Sequence, residues 1–242
     1  MIRVFSLLFV ILYATCSHAQ QYPLTSRNIV RVYFMTPQTQ QWAKNDVSVR
    51  VQGYLGSGTT RVTFHAKDLK SGKKLVVKIN KDRSKHQFYD YAQDVNLQKL
   101  SEKYARQYNQ TLQQNLVHYV ETVIGETDRG EFLLLEPLLK GFKKYNNNYG
   151  YSNDSDDWGK IAQSFTHFTH MVSGGAVMIC DIQGYGGELT DPGLHSLDGQ
   201  GGSCDLGNQG MQKFFQSHRC NKFCFQFLRA LNPYPAYGQA AQ

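Results

Sequence analysis

A chain of 242 residues is long enough to bury one sizeable core or to form two small lobes, but too short for two large independent domains. Hydrophobic residues make up 41% and charged residues 19%, a composition that excludes collagen-like and intrinsically disordered classes. The net charge of +7 suits an anionic ligand, but the basic residues are spread along the chain without a dense block. We therefore expect no nucleic-acid partner.

The first 19 residues are typical of a cleaved secretory signal. Arg3 precedes an apolar run over residues 4–15, and the small residues Ser17 and Ala19 occupy the two positions that a signal peptidase reads. The run of 12 residues is shorter than the roughly 20 that a spanning helix needs, which disfavours an uncleaved anchor. We expect a protein that is secreted, or enters the secretory pathway, without stable membrane insertion.

Beyond the signal, the composition divides the chain into three parts. Residues 20–45 are polar and interrupted by Pro23 and Pro37, which predicts an irregular lead-in segment. Residues 46–230 carry the hydrophobic periodicity of a folded domain, and residues 231–242 form a short C-terminal tail.

The first part of the domain is predicted to be a sheet followed by a helix. Alternating or β-branched hydrophobic residues predict strands over residues 47–51, 62–64 and 74–79, joined by glycine-rich turns. Apolar residues then recur every three to five positions over residues 88–108, which indicates a helix with one buried stripe. Another strand is predicted over residues 131–136.

The second part alternates short elements with loops. Three successive Asn residues within residues 145–150 favour turns. A helix is predicted over residues 158–168 and a buried strand over residues 176–182. Residues 184–207 contain eight glycines and predict a long loop, before a short helix over residues 211–215.

Polar residues at the ends of two predicted strands are candidates for a site. Lys78 ends a buried strand, where a cation is costly unless it meets an anion such as a phosphate; a lysine that reaches solvent is the alternative. Asp181 and Gln183 are expected on one face of a strand, with Asp191 following. Such oxygen ligands suit Mg²⁺, whereas the structural alternative is an ion pair at Asp181 and a turn cap at Asp191.

A second cluster has the spacing of a metal site. His218, Cys220 and Cys224 lie within seven residues, and His167 of the predicted helix supplies a fourth ligand. A complete His₂Cys₂ set predicts a structural zinc with no position open to water. A disulfide between Cys220 and Cys224, or two free buried thiols, are the alternatives that the spacing leaves open.

Export would also act on four other side chains. Asn109 and Asn153 lie in acceptor sequons for N-glycosylation. Cys180 and Cys204 would meet an oxidising environment. The sequence alone assigns neither glycans to these asparagines nor a disulfide to these cysteines.

Short segments rich in glycine and polar residues occur in a defined order along the domain. They are Gly58-x-x-Arg61-x-x-Phe64, Val77-Lys78, Asp94-Val95-Asn96-Leu97-Gln98, Glu136 ahead of Gly141, Lys144-Tyr145-Asn146-Asn147-Asn148-Tyr149-Gly150, Ser164-Phe165-Thr166-His167-Phe168-Thr169, Asp181-Ile182-Gln183-Gly184, Thr190-Asp191-Pro192-Gly193-Leu194-His195, and Gly210-Met211-x-x-Phe214-Phe215-x-x-His218-x-Cys220-Asn221-x-x-Cys224. The series resembles the alpha-kinase family, whose members include the elongation-factor kinase, the myosin heavy chain kinases and kinase domains fused to cation channels. The resemblance covers about residues 50–228, and an ordered series is far more specific than one motif.

The resemblance implies an α+β, two-lobed kinase fold with an N-terminal sheet lobe and a zinc-stabilised C-terminal lobe. ATP would lie in the cleft between the lobes. Arg61 and Lys78 would contact its phosphates. Glu136 would mark the hinge beside adenine, and Lys144 would lie near the phosphate-binding region.

The resemblance also implies roles for the second set of residues. Gln183 and Asp191 would bind metal or phosphate, and Asp181 would bind Mg²⁺ or orient the attacking hydroxyl. Phosphoryl transfer depends on positioning and charge neutralisation rather than on covalent help from the protein. Asp181, Gln183, Asp191 and Lys78 are therefore the expected catalytic residues.

The chain departs from the family pattern in three places. Where the family commonly shows Gly-x-Gly-Asn-Leu-Gly, residues 202–207 place Cys204 and Asp205. Lys140 stands where an acid often precedes Gly141, and the N-terminus resembles an export signal. The first departure is expected to alter substrate choice or rate while the nucleotide site survives.

The sequence thus predicts a protein serine/threonine kinase of the alpha-kinase type that transfers the γ-phosphate of ATP to a protein substrate. ATP, Mg²⁺ and one Zn²⁺ are its expected cofactors. The alternative is a zinc-stabilised pseudokinase that binds nucleotide or a protein partner without catalysis.

Overall fold

The computed structural model of the chain divides into two compact units. It describes residues 24, 27–36, 39–202 and 204–232. The predicted signal, residues 1–19, lies outside this part of the chain. The first unit comprises the described residues up to Val95 and Glu121–Leu138, and the second comprises Asn96–Val120 and the described residues from Leu139 onward. Among the described helices, none is both long and apolar enough to cross a membrane.

Strands and helices both contribute to the fold, in agreement with the predicted α+β class. The strands are β1 (Asn28–Met35), β2 (Trp42–Ser57), β3 (Arg61–Asp68), β4 (Lys74–Asn80), β5 (His118–Tyr119), β6 (Val123–Thr127), β7 (Phe132–Pro137), β8 (Lys143–Lys144), β9 (Val177–Cys180), β10 (Gln183–Tyr185), β11 (Glu188–Leu189) and β12 (Gly193–Ser196). The helices are α1 (Phe88–Leu112), α2 (Asp157–Val172), α3 (Gly207–Ser217) and α4 (Lys222–Leu231). The helices predicted over residues 88–108, 158–168 and 211–215 are confirmed, each with somewhat longer bounds.

The first unit is built on one closed antiparallel sheet with the strand order β1-β2-β3-β4-β7-β6. In β3 and β4, Val62 pairs with Ile79 and Phe64 with Val77, and all four side chains are buried in the core of this unit. Because side chains alternate along a strand, Lys78 of β4 lies on the opposite face of the sheet. The alternation of hydrophobic residues along β4 therefore determines which face of the sheet carries this lysine.

The predicted irregular lead-in over residues 20–45 is wrong for its second half. β1 lies within it, and Trp42 already begins β2. Residues 28–35 are rich in β-branched and aromatic side chains, and pairing with β2 and β6 makes them a strand of the closed sheet. Pro23 and Pro37, which suggested irregular structure, lie outside the described residues.

The second unit is packed around an aromatic core. Its largest fully buried rings are Tyr108, Phe165, Phe168 and Phe227, which come from α1, α2 and α4. These rings meet edge to face, with centroids 5.2 Å apart for Tyr108 and Phe168 and 5.4 Å apart for Phe168 and Phe227. The buried Tyr108 hydroxyl donates to Ser164 Oγ at 2.9 Å, so its polar atom is satisfied.

Two small sheets in the second unit revise the sequence prediction for the glycine-rich region. β5, β11, β10 and β8 form one sheet, and β12 pairs with β9 in the other. The expected loop over residues 184–207 therefore contains three short strands, whose partners in the fold hold them in place. Gly184 has φ of 152°, and a Cβ there would collide with the Glu188 carbonyl oxygen, which explains one of the glycines.

Candidate functional site

Lys78 forms a buried ion pair with Glu136 in the first unit. Lys78 Nζ lies 2.8 Å from Glu136 Oε2, and the two side chains are only 10% and 3% exposed. Val76 pairs with Glu136 across β4 and β7, so Lys78 and Glu136 are diagonal neighbours on one face of the sheet. Thr122 Oγ1 also donates to Glu136 Oε1 at 2.9 Å. Lys78 therefore has a fixed carboxylate partner within its own unit.

Arg61 lies on the same sheet face as Lys78. It is opposite Asn80 in the register of β3 and β4, and Asn80 is two residues beyond Lys78. Arg61 Nη2 lies 2.5 Å from Asp94 Oδ1, and Arg61 Nε donates to Asn80 Oδ1 at 3.3 Å. The fold thus brings two predicted phosphate-binding cations to one face and orients each of them with a carboxylate.

Lys144 and Asp181 form the corresponding ion pair in the second unit. Lys144 pairs with Gln183 across β8 and β10, and its Nζ lies 2.6 Å from Asp181 Oδ1. Gln183 Nε2 lies 3.4 Å from Asp181 Oδ2. Burial raises the pKa of the Asp181 carboxyl; Lys144 opposes this rise and Asp191 adds to it. A largely buried carboxyl with a raised pKa and a specific charge partner is a candidate for a functional site.

Asp191 is held through its backbone by two glutamine side chains. Gln98 Oε1 accepts a hydrogen bond from the Asp191 N–H at 3.1 Å. Gln183 Nε2 donates to the Asp191 carbonyl oxygen at 2.8 Å. The structure therefore brings Asp181, Gln183 and Asp191 together within one unit and places Lys144 beside them.

Asp181 and Asp191 share an unusual backbone conformation. Their φ angles are 56° and 53°, in the left-handed region that favours glycine. Each such residue costs on the order of 1–3 kcal/mol and persists where the surrounding structure imposes it, often at functional sites. The turn at Asp181 also ends β9 at Cys180, so strand alternation is the wrong reason for its proximity to Gln183.

Sequence reasoning assigned no role to two residues that the structure places at these sites. Asp94 pairs with Arg61, and Gln98 binds the backbone of Asp191. Both belong to one of the family-like segments. They are four residues apart on α1, which is about one helical turn. Their positions in an amphipathic helix predict only that the side chains face the interior. The partners of a buried polar side chain come from distant parts of the chain, so the helix pattern does not identify them.

The four predicted zinc ligands also lie together in the second unit. His167 comes from α2, His218 follows α3, and Cys220 and Cys224 flank the start of α4. Their candidate ligand atoms all lie within 4.8 Å of one another. All the cysteines in the described residues are free thiols, so the structure contains neither a Cys220–Cys224 disulfide nor one that involves Cys180 or Cys204.

The distances between these ligand atoms fit a tetrahedral zinc. His167 Nδ1 lies 3.2 Å from His218 Nε2, Cys220 Sγ lies 3.7 Å from His167 Nδ1, and Cys224 Sγ lies 3.6 Å from His218 Nε2. Usual zinc bond lengths in a tetrahedron give about 3.3 Å between nitrogens and about 3.6 Å between nitrogen and sulfur. Burial lowers the pKa of His218 to about 4, and a neutral imidazole is the form that binds metal.

Neighbouring rings fix the orientation of the two histidines. Phe214 stacks on the His218 ring, with centroids 4.8 Å apart. Phe227 meets the His167 ring edge on at 5.3 Å. Asn221 Nδ2 donates to the Lys160 carbonyl oxygen at 2.9 Å and so joins the start of α4 to α2. The candidate ligands are therefore presented by packed elements, as a structural metal site requires.

The departure in residues 202–207 is organised around the buried carboxylate of Asp205. This carboxylate accepts hydrogen bonds from the N–H groups of Gly201 and Gly207, both at 2.7 Å, and of Ser196 at 3.1 Å. Burial opposes ionisation, but a hydrogen bond from the Ser196 hydroxyl, followed by those from the backbone N–H groups, lowers the pKa of Asp205. An Asn side chain would turn one oxygen acceptor into a donor, which explains why Asp suits this loop. Cys204 beside it is exposed.

The sequence model of the Alpha-kinase family matches residues 56–224, which is more than half of the chain. Myosin heavy chain kinase B of Dictyostelium discoideum is 35% identical over 206 residues, which cover 81% of this chain and 28% of that protein. Eukaryotic elongation factor 2 kinase of Rattus norvegicus is 34% identical over 204 residues, which cover 77% of this chain and 27% of that protein. The chain therefore belongs to the Alpha-kinase family, a family of protein kinases, and spans under a third of these relatives.

Solved structures show the same fold. The alpha-kinase domain of myosin heavy chain kinase A in complex with AMP superposes with a TM-score of 0.75 at 24% identity, and the match covers 83% of this chain and 98% of that one. The ADP complex of that domain gives a TM-score of 0.74 at 24% identity, covering 84% and 96% of the two chains. The kinase-like α+β fold inferred from the sequence is thereby confirmed.

Proposed function

We propose that this chain is an ATP-dependent protein kinase that transfers the γ-phosphate to a Ser or Thr hydroxyl of a protein substrate. The observation that carries the proposal is the set of Lys144, Asp181, Gln183 and Asp191, held together in one unit with both carboxylates on left-handed backbone. Family membership supplies the reaction class. Relatives of this chain are kinases by name, and structures of one of them contain ADP or AMP.

In the first unit, the proposal assigns nucleotide binding to the sheet face that carries Arg61 and Lys78. Lys78 would meet the phosphates, and Glu136 would keep its amine directed across the face. The predicted contact of Glu136 with adenine stays a prediction. In addition, the ion pair with Lys78 gives this carboxylate the role of orienting the lysine. Arg61 would contact phosphate from the same face, with Asp94 orienting the guanidinium.

In the second unit, the proposal assigns Mg²⁺ to the oxygens of Asp181, Gln183 and Asp191. Bound Mg²⁺ would neutralise charge on the phosphate oxygens, which is the main demand of phosphoryl transfer. Lys144 would balance the charge of Asp181 beside it. In the alternative role for Asp181, its carboxylate would orient the attacking hydroxyl of the acceptor.

We also propose that His167, His218, Cys220 and Cys224 hold one structural zinc. The fit of their donor atoms to a tetrahedron supports this assignment, and a complete set of protein ligands leaves no position for a reacting water. Zinc would join α2 to the segment that begins α4. Its contribution would be to folding and not to phosphoryl transfer.

The alternative is a pseudokinase that binds nucleotide or a partner without transfer. Every charged residue that the proposed reaction needs is present, and Arg61, Lys78 and Lys144 each form an ion pair with a carboxylate. A pseudokinase would have no requirement for two acids on strained backbone. The transfer assay below distinguishes the two functions directly.

We propose further that the chain enters the secretory route, on the evidence of the signal-like residues 1–19. The two sequons then differ in whether the native fold can accommodate a glycan on the asparagine. Asn109 lies in α1, where its Nδ2 donates to the Val117 carbonyl oxygen at 2.7 Å and its Oδ1 accepts from the Val117 N–H. Asn153 lies in a loop and accepts only from Ser155 Oγ among its described side-chain contacts. A glycan is compatible with the native fold at Asn153 and would disrupt it at Asn109.

The first prediction concerns transfer. Wild-type protein should pass label from γ-labelled ATP to Ser/Thr-rich acceptors, and Asp191→Ala should lower the rate by about 100-fold or more, because charge stabilisation at the reacting phosphate is lost. Asp198→Ala, which changes an exposed acid in the same unit, is the matched control and should retain activity. Equal rates for wild type and Asp191→Ala would favour the pseudokinase.

A test of Lys78 requires a double variant that also changes its ion-pair partner Glu136. Lys78→Ala alone leaves the carboxylate of Glu136 buried without its cation, which typically costs about 3–5 kcal/mol of stability. The double variant Lys78→Met, Glu136→Gln removes both charges and should stay folded by circular dichroism while losing transfer. Acceptors that offer only Ser, only Thr or only Tyr then define the hydroxyl specificity.

The second prediction concerns zinc. Elemental analysis should show close to one zinc per chain, and His167→Ala should lower this content. Cys224→Ala should destabilise the second unit by several kcal/mol, as loss of a structural metal does, whereas Cys204→Ala changes an exposed thiol and should retain the metal. Active protein without zinc, with a disulfide between Cys220 and Cys224, would contradict the site.

The third prediction concerns export. Protein recovered from the medium of cells that express the full chain should begin near Gln20 and carry a glycan that Asn153→Gln removes and Asn109→Gln does not. N-terminal sequencing and a mobility shift on deglycosylation measure both. Intact Met1 in a cytosolic fraction would contradict export, and a glycan retained in Asn153→Gln would contradict the choice of sequon.

A further inference from the structure

The residue that controls the backbone of Asp191 lies outside the predicted catalytic set. Gln98 is a buried side chain of α1, only 5% exposed, in the second unit. Its two polar atoms have separate partners. Oε1 accepts from the Asp191 N–H at 3.1 Å, and Nε2 donates to the Val120 carbonyl oxygen at 2.5 Å.

We propose that Gln98 is a positioning residue that holds Asp191 in the left-handed conformation needed to direct its carboxylate at Mg²⁺. The inference rests on the proposed kinase function and names a part of it that no family pattern assigned. Gln98 does not touch the reacting groups. It acts through the backbone of a residue that would bind the metal.

The backbone conformation of Asp191 requires stabilising contacts of this kind. Its φ of 53° is unfavourable for a residue with a Cβ, so an unrestrained chain would relax toward negative φ. Relaxation would rotate the peptide groups on both sides of Asp191, together with its side chain. A positive φ therefore persists only where surrounding contacts impose it.

Two amides clamp this residue from opposite sides. Gln98 binds its N–H, and Gln183 Nε2 binds its carbonyl oxygen at 2.8 Å. Both glutamines are buried, so water does not compete for these hydrogen bonds. The preceding residue, Thr190, is fixed as well, because its N–H donates to the Gln183 carbonyl oxygen at 3.0 Å. The direction in which the Asp191 side chain leaves the backbone is then determined by its neighbours.

Gln98 is itself fixed by an independent contact. The carbonyl oxygen of Val120 orients the amide so that Oε1, not Nε2, faces Asp191. The Val120 N–H in turn donates to the Leu189 carbonyl oxygen at 2.9 Å, two residues before Asp191. Asp191 and its clamp are thus joined by a short closed path of hydrogen bonds within one unit.

The test compares Gln98→Met with wild type and with Ser101→Ala. Methionine keeps the length of the side chain but removes both hydrogen bonds. Ser101 is a matched control because it is buried in the same helix and its hydroxyl donates only to the Leu97 carbonyl oxygen among its described contacts. The two measurements are amide exchange at Asp191, read by NMR, and the Mg²⁺ concentration that half-saturates phosphoryl transfer.

We expect Gln98→Met to speed exchange of the Asp191 amide by about 10-fold or more and to raise the Mg²⁺ requirement about 10-fold, as loss of a group that orients a metal ligand does. Excess Mg²⁺ should restore part of the rate. Ser101→Ala should change neither quantity. Folded Gln98→Met with wild-type protection at Asp191 and a wild-type Mg²⁺ requirement would overturn the proposal.

Gln98→Glu is a second variant that keeps the test usable if Gln98→Met does not fold. Glutamate has the same shape, and its protonated form can donate to the Val120 carbonyl oxygen while its other oxygen accepts from the Asp191 N–H. It should therefore retain protection of that amide within about 3-fold of wild type, as a rescue of the lost acceptor. A folded Gln98→Glu variant whose Asp191 amide exchanges without protection would overturn the proposal. If wild-type protein transfers no phosphate, the kinase proposal fails, while amide exchange still decides whether Gln98 holds Asp191.

Discussion

The constraint on which the second unit depends is the left-handed backbone at Asp181 and Asp191. The turn at Asp181 lies between β9 and β10, and the turn at Asp191 lies between β11 and β12. Lys144, Gln183 and Gln98 satisfy the polar groups that these turns bring inside. Without them, two acids on strained backbone would be costly to bury. The site is therefore an arrangement that the rest of the unit imposes.

The cations with a proposed function follow one rule in both units, whether they are buried like Lys78 or exposed like Lys144, which is that each has a carboxylate partner in its own unit. Lys78 has Glu136, Arg61 has Asp94, and Lys144 has Asp181. A buried ion pair adds little stability, but it fixes the position of a charged side chain. For a reaction that depends on charge placed at phosphate oxygens, a fixed position is the useful property.

Much of the fold and most of the site could be predicted from the sequence because hydrophobic periodicity and ordered motifs are local signals. The long helices and the proximity of His167, His218, Cys220 and Cys224 are examples. β1 and β12 were missed because their stability comes from distant partners that a proline or glycine count does not reveal. Gln98 was missed for a related reason. A glutamine in an amphipathic helix has no pattern that tells which backbone group it will bind.

The central claim is that Asp191 belongs to a divalent-cation site that works with nucleotide. Calorimetric titration of Mn²⁺ with ADP tests this claim without relying on turnover. We expect wild-type protein to bind the pair, and Asp191→Asn to bind it at least about 10-fold more weakly, because a charged oxygen ligand is lost. Asp198→Asn should bind as wild type does. Equal affinities for wild type and Asp191→Asn would contradict the account.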